Sequence, residues 1–356
     1  MDTLSLRDLG PNWYAAVMGT AIVANAGAVL PVQPFGLRAA CTAVWGLSVL
    51  LLGVLLVARA AHWIHHPDRA RAHLLDPAVA PFYGCLAMAL LAVGTGTVTL
   101  GPDLVGEGTA VVAGAVLFAV GTLTALAAAV VVPYLMITYH RPAPGSASPV
   151  WLLPVVAPMV SAAFGPLLAE RLPAGQGRDT LLLACGAMAG LSGLAVLVIL
   201  PLVFARLVHH GPLPLALTPT LFLVLGPLGQ STTAVEKLAD TGGMGALAVL
   251  YGVPVMGFAL LWMALAGLMV AGAFRRGMPF TMTWWAFTFP VGTCVTGAAG
   301  LAAHTGLAAL EWLAVGLYAF LVGAWAVAAT RTLRGLVSGA LLAAPRAPLP
   351  VTARTT

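Results

Sequence analysis

The chain is built from apolar runs long enough to cross a bilayer, following one another with little polar sequence between them. They fall near residues 11–30, 37–58, 80–100, 110–136, 150–169, 180–205, 218–239, 245–272, 282–303 and 305–330. A bilayer core is crossed by about 20 apolar residues in a helix, so the runs predict ten spans. Only 8% of residues are charged and 60% are hydrophobic, whereas soluble domains are roughly a quarter charged. Within hydrocarbon every backbone N–H and C=O needs an internal partner, which leaves helices for runs of this length. The fold class expected is therefore an all-α integral membrane protein with ten transmembrane helices. It should occupy residues 1–336, with 337–356 a disordered cytoplasmic tail. Residues 1–10, "MDTLSLRDLG", lack the charged, apolar and cleavage regions of a secretory signal, so the first run is expected to stay as a span.

Charge gives the orientation. With ten spans both termini lie on one side. That side collects Arg7, Arg59, Arg69, Arg71, Arg141, Arg206, Arg275, Arg276, Arg331, Arg334, Arg346 and Arg354. The other side has Arg38, Arg171, Arg178 and Lys237, together with the acids Asp103, Glu107, Glu170, Asp179, Glu236, Asp240 and Glu311. The bias predicts a multi-pass plasma-membrane protein with both termini cytoplasmic. The net charge of +5 then reads as topology and lipid contact, with no nucleic-acid partner. Cys41, Cys85, Cys185 and Cys294 stand singly in apolar runs. They read as small packing residues, and no disulfide, metal or cofactor is expected.

The spans are of two kinds. Odd ones open with proline, continue with aromatic or large apolar residues, and meet Gly or Pro near mid-membrane: "PNWYAAVMGTA", "DPAVAPFYGCLAM", "SPVWLLPVVAPMV", "TPTLFLVLGPLGQS" and "MPFTMTWWAFTFPVG". Even ones, such as "VLLLGVLLVA", are Leu, Val and Ala with few breaks. The chain reads as one helical hairpin repeated five times. Helices broken by Gly and Pro need partners for freed backbone groups, so they belong against protein or a water-filled cavity. The odd spans are thus expected to form an inner ring around an axial passage.

Polar groups in that ring are weak: Thr20 and Asn25 in span 1, Thr95 and Thr97 in span 3, Ser161 in span 5, Gln230, Ser231, Thr232 and Thr233 in span 7, and Thr288 and Thr293 in span 9. Breaks at Gly226-Pro227 and Gly165-Pro166 would expose half-helix N-termini, whose partial positive charge favours anions. Pro290 in mid-span should kink its helix against the Ala286 carbonyl and turn Phe289 aside. On the residues alone, Phe289 reads as core packing. Trp284 and Trp285 read as interfacial anchors, and Glu236 and Lys237 as interfacial charges that snorkel. His62, His65, His66, His73, His209 and His210 fit decoration of the basic side better than a metal site or a pH sensor.

The segments "PNWYAAVMGTA", "GPLGQS" and "WWAFTFP" resemble the tellurite-resistance/dicarboxylate transporter family, over about residues 11–335. That family includes bacterial tellurite-resistance proteins, plant slow-type anion channels, and fungal malate and sulfite transporters. The resemblance implies a ten-helix, five-hairpin protomer with its own pore, assembled as a homotrimer. It also implies that the phenylalanine before the ninth-span proline plugs the pore, which is Phe289 before Pro290 here. The pore would be lined by Thr20, Asn25, Ser161, Gly226, Gln230, Ser231, Thr288 and Thr293. Expected partners are lipid and small inorganic or dicarboxylate anions. "GPLGQSTTAVEKL" is closer to the malate and sulfite branch, which favours carriage of a C4-dicarboxylate or sulfite; a passive, Phe-gated chloride or nitrate channel is the alternative. An intramembrane enzyme would need a nucleophile and base or metal ligands at depth, and no HExxH motif or paired mid-span carboxylate occurs.

Overall fold

A computed structural model describes residues 6–143, 145–339 and 341, and all regular elements among them are helical. The 3-10 turn Pro11–Trp13 leads into α1 (Tyr14–Ala28), followed by α2 (Leu37–His65) and the short α3 (Pro67–Leu75). The turn Ala80–Phe82 leads into α4 (Tyr83–Thr99), followed by α5 (Pro102–Val105) and α6 (Glu107–Leu135). The turn Pro149–Trp151 opens α7 (Leu152–Ala169), which precedes α8 (Gln176–His210). A longer 3-10 segment, Leu215–Val224, opens α9 (Leu225–Thr241), which precedes α10 (Gly245–Arg275). The last segment, Met282–Phe287, opens α11 (Phe289–Thr305), and α12 (Ala308–Val337) ends the helical part. Of the tail expected from residue 337, residues 340 and 342–356 lie outside the described residues.

Eight helices among the described residues are long and apolar enough to cross a membrane. The runs 11–30 and 218–239 are helical but not in that set. α1 has 15 residues, and α9 has 17 with Glu236, Lys237 and Asp240 among them.

Two kinds of helix separate by burial. α1 buries fourteen of its fifteen residues. α2 buries six of twenty-nine, at Cys41, Trp45, Ser48, Leu52, Arg59 and His62, a single stripe at helical spacing. Leu50, Val54 and Val57 on its other side are exposed. The buried helices pack in cyclic order: α1 on α4, α4 on α7, α7 on α9, α9 on α11, and α11 back on α1. α2, α6, α8, α10 and α12 pack outside, each on the buried helix that precedes it by chain order or, for α2, on α1. α9 and α11 approach closely at Gly229, where a Cβ would strike the backbone of Thr293 and Cys294 in α11.

Several local expectations are corrected. Pro290 does not kink a continuous helix. The 3-10 segment stops at Phe287, Thr288 breaks the path, and Pro290 falls in the first turn of α11, where its missing N–H has no helical acceptor to satisfy. Gly165-Pro166 is no break, because α7 runs through both Pro158 and Pro166. Trp284 and Trp285 are buried rather than interfacial. Trp285 Nε1 donates to Thr332 Oγ1 at 3.0 Å, and the Arg331 guanidinium sits 5.0 Å from the Trp284 ring centre. The histidines are not all surface decoration. His62 is fully buried and stacks on His73 at 5.4 Å. Burial, and then Arg59, pushes the His73 imidazole below its usual range. Arg59 itself is buried, donating to the Leu9 carbonyl and, at 3.3 Å, to the Tyr83 hydroxyl.

Candidate functional site

All five buried helices contribute to one cavity of about 240 Å3. Ile22 and Asn25 come from α1, Thr95 and Thr99 from α4, and Phe164 and Leu167 from α7. α9 adds Gln230, Thr233, Glu236 and Lys237; α11 adds Phe289, Thr296 and Gly300. Its upper wall reaches Val29, Thr99, Leu167, Lys237 and Ala303, at the C-terminal ends of the five helices. Its floor is Phe289, whose side chain is 2% exposed. Below lies a cavity of about 20 Å3 bordered by Met18, Met88, Val156, Pro227 and Pro290, and again by Phe289. The ring is thus common to both cavities. The first turns of α9 and α11 meet at this lower cavity, through Gly226-Pro227 and Phe289-Pro290.

The other residues expected at a pore separate into two groups. Asn25 and Gln230 border the upper cavity and Gly226 the lower one. Asn25 Nδ2 donates to the Ala92 carbonyl at 2.9 Å, tying α1 to α4, while its Oδ1 has no partner. Thr20, Ser161, Ser231, Thr288 and Thr293 border neither cavity. The Thr20 hydroxyl donates to the Ala16 carbonyl and accepts from Trp325 Nε1 of α12. Ser161 accepts from Thr122 of α6 at 2.9 Å. Ser231 bonds to the Leu228 carbonyl and Thr288 to that of Trp285. Thr293 donates to the Pro290 carbonyl at 2.7 Å, with the α9 carbonyls of Leu225 and Gly226 nearby. Thr20, Ser161 and Thr293 thus link helices, whereas Ser231 and Thr288 bond back to their own segment. Sequence places a residue on a helix, but the direction of its side chain depends on neighbours that sequence does not show.

The cavity hydroxyls that matter were partly outside the expected set. Thr233 and Thr296 face each other across α9 and α11 at 2.8 Å. Thr95 donates to the Leu91 carbonyl and Thr99 to that of Thr95. Each proton is committed to a carbonyl one turn back, leaving lone pairs toward the cavity. The donors on the wall are then the Gln230 amide and the Lys237 ammonium. Glu236 is not an exposed snorkelling charge. It is 2% exposed and sits in the wall beside Gln230. Around the rim, Arg38 pairs with Asp103 at 2.8 Å and Arg171 with Glu107 at 2.7 Å. The Arg38 guanidinium holds the Asp103 carboxyl below its usual range. All four cysteines are buried and free, and no group of side chains suited to a metal occurs among the described residues.

Comparison with known proteins finds related transporters. An uncharacterized transporter of Methanocaldococcus jannaschii is 26% identical over 94% of this chain and 95% of its own. A sulfite efflux pump of Trichophyton rubrum is 29% identical over 83% of this chain and 82% of its own, as is one of Arthroderma benhamiae. These relatives are transporters, as the motifs of the first, seventh and ninth spans imply. The family model described as voltage-dependent anion channel (SLAC1) matches residues 8–333, and the chain belongs to that family.

Proposed function

We propose that the chain moves small anions across the membrane along the axis of its five buried helices, with Phe289 as the gate. One observation carries this: Phe289 is the shared wall of two cavities stacked inside a closed ring of helices. An aromatic ring in a narrow apolar passage blocks by bulk and by excluding water. The two helix N-termini below it supply partial positive charge, and the wall above has amide and ammonium donors, which favours anions. Shallow sites of this kind suit transit, because an ion must leave as readily as it enters.

The sulfite efflux pumps among the relatives favour sulfite as cargo, and C4-dicarboxylates such as malate enter through the family resemblance. A passive chloride or nitrate channel is the second reading, favoured by the family's description as an anion channel. Tellurite resistance would be a phenotype of either. The full reading has ten spans in five hairpins, a plasma-membrane homotrimer with one passage per protomer, and both termini cytoplasmic.

The test is tracer flux into proteoliposomes, wild type beside Phe289→Ala, with sulfite, malate, chloride and nitrate. Removing the plug should raise flux by about tenfold or more if the ring alone closes the path. Concentrative sulfite or malate uptake under a pH gradient marks a carrier, and single-channel currents carried by chloride mark a channel. A folded protein that moves none of the four, with or without Phe289, overturns the pore assignment.

A further inference from the structure

The cavity wall contains one carboxyl group, Glu236. An acid is out of place in an anion path. At contact range an ionised carboxylate and a passing anion repel each other strongly, more so away from bulk water. Three acids of the nearby rim have partners: Asp103 pairs with Arg38, Glu107 with Arg171, and Asp240 with Lys237 at 3.8 Å, the last also meeting His304 Nε2 at 2.9 Å. Glu236 forms no ion pair among the described residues, and its Oε1 has no hydrogen-bond partner. Its Oε2 rests on the bare backbone of Gly300 in α11, where a methyl group would overlap the carboxyl. The space that holds it is therefore made by a glycine on the facing helix. A carboxyl placed this way is neutral when protonated and then offers an O–H donor to an anion.

We propose that Glu236 is a proton-binding site of the cavity, and that an anion enters when Glu236 carries its proton and is excluded when it does not. This rests on the cavity being the anion path. On α9, the charges near Glu236 are Lys237 and Asp240. On α11 it is His304, whose Nδ1 donates to the Gly300 carbonyl at 2.9 Å and whose Nε2 meets Asp240. α8 and α10 also pack on α9 and carry Arg178 and Asp179, and Tyr251, in their halves nearest this face. α1, α4 and α7 place no charged side chain on the cavity wall. His304 is thus the other group able to give a pH response, and the experiment separates the two.

Sulfite flux is measured in proteoliposomes for wild type, Glu236→Gln and His304→Gln, with external pH varied and each variant checked for monodisperse elution. Sulfite itself titrates, so the readout is the ratio of variant to wild-type flux. The Glu236→Gln ratio should be near one in acid and rise with pH, by up to about tenfold per unit, the limit for one bound proton. The His304→Gln ratio should stay flat. A flat Glu236→Gln ratio overturns the proposal and leaves the transport reading standing. A rising His304→Gln ratio with a flat Glu236→Gln ratio assigns the titration to His304 and also overturns it. If sulfite does not move, the same ratios are read with malate, chloride or nitrate, and absence of flux of all four from every protein removes the anion path and the proposal with it. If Glu236→Gln fails to fold, Gly300→Ala supplies the same test, since the added methyl displaces the carboxyl and must change the wild-type pH profile.

Discussion

α11 and α12 are joined by two residues, Gly306 and Leu307, yet they live in different surroundings. α11 buries twelve of its seventeen residues, and α12 buries five of its thirty. The exposed helix keeps its charges, Glu311, Arg331 and Arg334, at its ends and is apolar between them. Its buried stripe is Ala314, Leu317, Leu321, Ala328 and Thr332, and between Glu311 and Arg331 its other faces are mainly Leu, Val, Ala and aromatic. α11 has one proline, three threonines and three glycines in seventeen residues, whereas α12 has no proline, two threonines and three glycines in thirty. A soluble protein sorts the other way, with its apolar side chains inside. Where lipid is the outer solvent, the outside needs only to be apolar, and the demanding work of close packing falls to small and weakly polar residues within.

This contrast can be broken by putting the wrong residue on each kind of helix. The largest effect expected is from Leu194→Arg, at an exposed position midway along α8. A charge facing lipid at that depth should cost about 2.5–3.5 kcal/mol of insertion free energy, read as loss of the inserted fraction in a glycosylation-tag assay. Normal insertion would mean that this face of α8 is covered by protein. Next, Gly229→Val should destabilise by about 1–3 kcal/mol through overpacking of α9 on α11, seen as a lower melting temperature in detergent. An unchanged melting temperature would mean that the two helices are not held that closely. The smallest is Trp285→Phe, which keeps the ring and deletes the N–H to Thr332, for a loss of about 1 kcal/mol. No measurable loss would return Trp285 to the interfacial role its sequence position suggested.

The sorting into two helix types was legible because it is written in composition: breaks and hydroxyls recur in one set of spans and Leu-Val-Ala in the other. Phe289 was singled out only through its family motif, since a phenylalanine before a proline has many uses. Its actual setting differs from the kink imagined for it. A proline in the middle of an apolar run lies in the first turn of a helix here, because the run divides into a 3-10 segment and an α-helix at Thr288. Sequence does not mark that junction. Thr20 and Ser161 illustrate a second limit. Their partners, Trp325 and Thr122, belong to outer helices, and no local pattern reveals which neighbour a hydroxyl will meet. Glu236 illustrates a third: its burial depends on Gly300, sixty-four positions later.

The cyclic packing has a consequence for how the molecule is made. Four of the five inner contacts join segments that are successive in synthesis, so they can form as the chain enters the membrane. The fifth joins α1 to α11, and with it come the bonds from Trp325 to Thr20 and between Tyr318 and Cys41. None of these can exist until nearly the whole chain has left the ribosome. Until then α1, rich in small residues and carrying Asn25, has one flank turned toward lipid or a chaperone. A ribosome stalled before α11, or a frameshift in the last hairpin, leaves an open arc with two unsatisfied edges, the form that membrane proteases and insertion chaperones act upon.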